Sequence, residues 1–127
     1  MLLAATAFGQ YTAMPVYDQY ILKAEGFYND NKFGASAHAY SSGFERVGWN
    51  APVKDKYNAA RSWALSNVPD SAFFYLQSIA ALQRFDNLDK ISKDQSFSSL
   101  HEDERWKPLL KQVKKNKKRQ HRHKRLN

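Results

Sequence analysis

Four histidines, His38, His101, His121 and His123, are the side chains in this sequence best suited to move a proton or bind a transition metal. A hydrolytic zinc helix needs two of them flanking a glutamate as His-Glu-x-x-His, and none stands in that arrangement. His121 and His123 sit in the run KKNKKRQHRHKR, where neighbouring cations repel a metal ion and nothing builds a rigid cage. No metal is expected there. Gly34-Ala35-Ser36-Ala37-His38 approaches the Gly-x-Ser-x-Gly of a nucleophile elbow. That elbow, however, is a strand-to-helix turn of an α/β sheet, whereas Ser36 falls inside a helical pattern and reads as a small packing residue. The chain has no cysteine, hence no thiolate nucleophile, disulfide framework or Cys-based zinc site. Phosphate-cradling Gly-rich loops and calcium loops of alternating carboxylates do not occur either. The residue types therefore predict a protein that is not an enzyme and carries no cofactor.

Charge separates along the chain. The formal total is +8 over 127 residues. Residues 1–110 hold 11 Lys and Arg against 12 Asp and Glu, while residues 111–127 hold nine Lys and Arg and no acid. The body is nearly neutral and the basicity is a tail. With 43% hydrophobic and 14% aromatic residues, the body has the apolar surface to fold as one domain. No apolar run reaches the roughly 18–20 residues of a membrane-spanning helix.

The elements that would carry any site are helices. Tyr17, Tyr20, Ile21, Ala24, Phe27 and Tyr28 follow the three-and-four spacing of one helical face, which predicts a helix over 17–29. Asn29-Asp30-Asn31 interrupts it, and Phe33, Ser36, Ala37, Tyr40, Phe44 and Val47 repeat the spacing in a second helix over 32–46. Gly48 closes that segment. Pro52 opens a third helix over 52–66, and after Pro69 a fourth is expected with Asp70 as its cap and Ala72, Leu76, Ile79 and Ala80 inward. No stretch alternates strictly between hairpin turns, so no sheet is predicted.

An offset of 36 residues superposes Ile21 on Tyr57, Ala24 on Ala60, Phe27 on Trp63, Ser36 on Ala72, Tyr40 on Leu76 and Gly43 on Ile79. Small and large side chains recur in the same order, as they do in stacked helical hairpins. AEGFYNDNKFGASAHAYSSGF and YNAARSWALSNVPDSAFFYLQSIAAL resemble tetratricopeptide repeats, with Ser36, Gly43 and Ile79 replacing the commoner alanines and without the usual proline after the second helix. FDNLDKISKDQSFSSLHEDERWKPLL is similar to the degenerate closing unit of such arrays in exported bacterial proteins. The resemblance implies an all-α fold, a short right-handed α-solenoid over 10–113. In it Phe85, Leu88, Ile91, Phe97, Leu100, Trp106, Leu109, Leu110 and Val113 cover the last open face, and residues 114–127 form a disordered basic tail.

The resemblance also implies a noncatalytic interaction module or scaffold that binds a peptide or protein. In its register the partner-binding residues are Glu25, Tyr28 and Asn29 on the first helix and Lys54, Tyr57 and Arg61 on the third. Tyrosine supplies apolar area with a polar tip, and the cations can meet carboxylates. Two alternatives stay open: a basic-tail adaptor for nucleic acid or an anionic surface, and an accessory unit of an enzyme on another chain. The tail has no aromatic side chain for base stacking and the body no basic face, which speaks against nucleic acid and leaves a membrane surface as the contact open to the tail. At the start, MLLAATAFGQ resembles the end of a secretory signal peptide cut after Gly9, although it lacks the usual leading Lys or Arg. Residues 1–9 thus read as a signal remnant, and the expected location is periplasmic or extracellular.

Overall fold

A computed structural model describes residues 14–126, and every regular element among them is helical. The signal-like segment, residues 1–9, lies outside the described residues. The chain divides into two compact units, the first ending at Ala51 and the second beginning at Pro52.

The first unit is one helical hairpin, α1 (Val16–Asn29) and α2 (Phe33–Arg46). Its turn is set by Asn31, whose backbone is left-handed at φ 59°, a conformation asparagine tolerates better than most side chains. With Asn31 so placed, its N–H donates to the Tyr28 carbonyl at 3.0 Å and the Lys32 N–H donates to the Phe27 carbonyl at 2.8 Å. These are the two bonds of a Schellman end, which satisfy carbonyls the helix leaves over. Across the pair the backbones approach closely at small residues. Ser36 is buried and its hydroxyl donates to the Ala24 carbonyl at 2.8 Å. A methyl group placed on Gly43 would lie 3.1 Å from Tyr20 Cβ and 3.6 Å from Ile21 Cδ1.

The second unit opens on the same device. Helices α3 (Val53–Leu65) and α4 (Pro69–Leu82) are joined through Asn67, left-handed at φ 62°. Its N–H donates to the Ala64 carbonyl at 3.1 Å, and the Val68 N–H donates to the Trp63 carbonyl at 3.0 Å. Each of these four residues lies 36 positions after its counterpart in the first turn. Burial recurs at the same offset, with Ala24, Ala60, Ser36 and Ala72 all at 0% exposure. Two details differ from the sequence reading. Pro52 is the cap before α3 rather than its first residue, and Asp70 does not cap α4, which begins at Pro69 after Val68. Proline at the first helical position already removes one N–H that a cap would have to satisfy. The Asp70 carboxylate instead accepts from Arg105 Nη1 at 2.9 Å.

The rest of the second unit covers that hairpin. Helix α5 (Leu88–Lys93), a 3-10 turn (Gln95–Leu100) and α6 (Trp106–Leu126) bury Ile91, Phe97, Leu100, Trp106, Leu109 and Val113, whereas Phe85, Leu88 and Leu110 are only partly covered. Helix α6 begins after the acidic run, and Asp103 accepts from the Arg105 N–H at 2.9 Å. Two further bonds from the Arg105 guanidinium hold the Asp103 carboxyl down at about 2. The helix does not stop at Val113. It runs on through the basic segment expected to be disordered and ends at Leu126.

The close approach at Gly43 gives a paired test. Gly43→Leu should lower stability by about 1–3 kcal/mol through overpacking, since Tyr20 Cβ cannot move without its backbone. Gly26→Ala, in the last turn of α1 with nothing within 4 Å, should raise it by about 0.5–1 kcal/mol through helix propensity. Thermal melting of both should show shifts of opposite sign, and shifts of like sign would contradict the described packing of α1 on α2.

Candidate functional site

The six residues expected to meet a partner belong to two separate units. Glu25, Tyr28 and Asn29 share one face of α1. Glu25 and Asn29 are exposed, and the partly exposed Tyr28 ring meets Phe33 edge-on at 5.3 Å. Lys54, Tyr57 and Arg61 follow a three-and-four spacing on α3, and of these only Lys54 is fully exposed.

Tyr57 is turned into the protein. It is 2% exposed, its hydroxyl donates to Asp94 Oδ2 at 2.7 Å, and its ring lies 5.4 Å from Phe97 and 5.5 Å from Phe85. Lys90 Nζ stands 4.7 Å from the ring centre, within cation–π range. Arg61 is drawn to the same place, with Nε donating to Ser96 Oγ at 3.1 Å and lying 3.4 Å from Asp94 Oδ2. Two of the six side chains expected to face a ligand are thus engaged by the chain's own closing segment. Burial first, then the hydrogen bond to Asp94 and its negative charge, push the Tyr57 hydroxyl far above the usual tyrosine range, with Arg61 pulling the other way.

Asp94 was not legible as a partner of Tyr57, because a contact between side chains 37 positions apart leaves no periodic trace. Its local role did leave one. Asp94 Oδ1 accepts from the Ser96 N–H at 3.0 Å, as an Asp two residues ahead of a turn commonly does.

Asn116 was missed altogether, since the sequence reading closes the domain at Val113. It is 5% exposed, and its side-chain amide donates to the Ala80 carbonyl at 2.8 Å and to the Phe85 carbonyl at 2.9 Å, while its own Oδ1 accepts from Gln112 Nε2 at 2.9 Å. The reason is visible at the end of α4. In the first unit the Trp49 N–H donates to the Phe44 carbonyl at 2.8 Å and closes α2. At the matching place Arg84 is left-handed at φ 58°, but the Phe85 N–H turns to Ile79. Ala80 then needs another donor, and Asn116 is that donor.

Lys56 is the buried cation among the described residues, 8% exposed, with burial lowering its pKa. Its Nζ lies 3.5 Å from Ser78 Oγ, longer than the reach of about 2.6–3.2 Å between a working nucleophile and base. Among the described residues no group of three or more His, Asp or Glu side chains could hold a metal ion, and no helix is long and apolar enough to cross a membrane. The strongest charged feature is α6 beyond Asn116, where Lys117, Lys118 and Arg122 line an open groove with Asp86 and Leu88 at its edge.

Two expected outcomes follow from the polar ties. Asn116→Ala leaves two sheltered carbonyls without their donor and should cost about 1–3 kcal/mol in denaturant unfolding, whereas Gln112→Ala should cost less. Tyr57→Phe should cost about 1–2 kcal/mol at neutral pH. The unfolded chain releases the tyrosine proton near pH 10 while the folded chain keeps it. Wild-type stability therefore falls as pH rises above about 10, and the gap to Tyr57→Phe should narrow between pH 9 and 11. A constant gap would mean that the hydroxyl is not held by Asp94.

Compared with known proteins, the chain matches no family model, no curated protein and no solved structure.

Proposed function

We propose that this chain is a noncatalytic interaction module, a short right-handed α-solenoid of two tetratricopeptide-like hairpins and a degenerate closing unit, that binds a peptide or protein partner on exposed helix surface. The observation that carries the reading is the recurrence of one turn 36 residues on. Asn31 and Asn67 adopt the same left-handed conformation with the same pair of closing bonds, and small residues are fully buried at matching places. A repeated unit that leaves helix faces exposed offers surface for contact.

Of the residues first assigned to the partner, Glu25, Tyr28 and Asn29 lie at the surface of α1 in the first unit, and Lys54 at the surface of α3 in the second. Tyr57 and Arg61 serve the closing segment instead. Tyr28 offers a partly exposed ring on the same face of α1 as Glu25 and Asn29, with apolar area and a polar tip. A ligand suited to this face is an extended peptide with a basic side chain to meet Glu25 and backbone groups to meet Asn29.

Selecting peptides from a random display library on the full-length protein tests the reading. Selected peptides should carry Lys or Arg and should lose at least tenfold affinity for Glu25→Lys and for Tyr28→Ala, measured by calorimetry. Selection of no binder, or of binders indifferent to both changes, would refute it.

A further inference from the structure

Beyond Asn116 helix α6 exposes every position to Leu126 except the half-buried Gln120, whose side of the helix faces Arg84. Upstream, one face of the helix is spoken for by Trp106, Leu109, Val113 and Asn116. Opposite that face runs a row of exposed cations, Lys107, Lys111, Lys114, Lys118, Arg122 and Arg125. Their spacing of four, three, four, four and three keeps them in line over about 27 Å at 1.5 Å per residue. Beyond Asn116 the packing face itself turns basic at Lys117 and Lys124, and Arg119 occupies a third side.

That distribution selects among anionic surfaces. A membrane is a plane and meets one side of a helix, and an interfacial helix needs an apolar face to sink into the acyl boundary. From Lys117 onward the only apolar side chain is Leu126. Cations on three sides of the helix suit a trough with negative charge on both walls. The major groove of B-form DNA is about 12 Å wide, it is walled by phosphates, and it admits one α-helix of about 10–12 Å diameter. A-form RNA has a major groove too narrow for that. The lack of aromatic side chains, which argues against binding single strands, has no bearing on a duplex, whose bases are already stacked.

We infer that α6 is a docking element for duplex DNA: residues 117–126 enter the major groove, and the row running back to Lys107 follows one phosphate strand. Lys and Arg here reach phosphates rather than base edges, so recognition is of charge and groove shape and not of sequence. The inference is independent of the peptide-binding face proposed on α1.

The test is fluorescence polarisation of a 20-base-pair DNA duplex titrated with the full chain between 50 and 200 mM salt. Binding should fall with a log–log slope of about −5 to −8, as six to nine displaced counterions require. Replacing Lys118, Arg122 and Arg125 together by Gln should weaken binding at least tenfold and reduce the slope by about three. The same charge change at Lys23, Lys32 and Lys93 should alter it less than twofold. Gln120→Pro keeps every charge and breaks the helix, and it should also weaken binding at least tenfold, with melting of the body unchanged. Three outcomes would overturn the inference: no duplex binding at 50 mM salt, tighter binding to phosphatidylserine vesicles than to DNA at equal anionic charge, or full binding by Gln120→Pro.

Discussion

Helix α4 has buried residues on more than one side, Ala72, Phe73, Tyr75, Leu76, Ile79 and Ala80, and the second unit is arranged around the need to cover them. A helix apolar over most of its circumference cannot remain at a surface. One neighbour, α3, follows from the hairpin itself. Another must come from later in the chain: α6 packs on α4 and buries Trp106, Leu109 and Val113. Between its ends only a narrow strip around Phe74 and Gln77 stays exposed, with Leu82 exposed at its last residue. The long acidic and polar connection between α4 and α6 is therefore constrained at both ends, and of its apolar residues Ile91, Phe97 and Leu100 are buried along the way.

Apolar cover supplies most of the stabilisation but little direction, because many registers of α6 on α4 bury a similar area. Direction comes from two polar ties. Asn116 can satisfy the Ala80 and Phe85 carbonyls together only at one height along α4. Asp94 caps the 3-10 turn and accepts from Tyr57 at once, so the turn is held against α3 at one point. A half-satisfied buried network costs more than none, and slippage of either element would strand at least one donor or acceptor. The same economy explains why Tyr57 and Arg61 are not offered to a partner.

The helices were legible because a 3.6-residue spacing survives any context: α1 and α2 lie within one residue of their expected bounds, and the recurrence at 36 residues pointed to turns whose backbones match. Capping was less legible. Asp70 is the right residue type in nearly the right place, yet Pro69 and Arg105 together assign it another task. Asn116 was hidden by composition. Flanked by Lys114, Lys115, Lys117 and Lys118, it reads as solvated tail, and only the tertiary position of an unpaired carbonyl on α4 reveals its use. Tyr57 failed in the opposite sense, since a tyrosine on the expected face fits a ligand platform until the closing segment is seen to occupy it.

The helical state of the basic segment sets two electrostatic effects against one another. Lys and Arg are good helix formers, and cations in the last turn favour the negative end of the helix dipole. Side chains three and four apart on a helix are also neighbours, so a row such as Lys114, Lys118, Arg122 and Arg125 repels itself along its length. Salt weakens that repulsion, which acts over distances comparable with a Debye length of about 8–10 Å, whereas intrinsic propensity is little affected by it. A bound polyanion does more than salt, because it places negative charge beside each cation and removes the one force opposing the helix. Helix formation in α6 and anion binding along it are therefore linked, each favouring the other. The body, near neutral and tied to the helix at Asn116, holds the first turns fixed while the last turns respond.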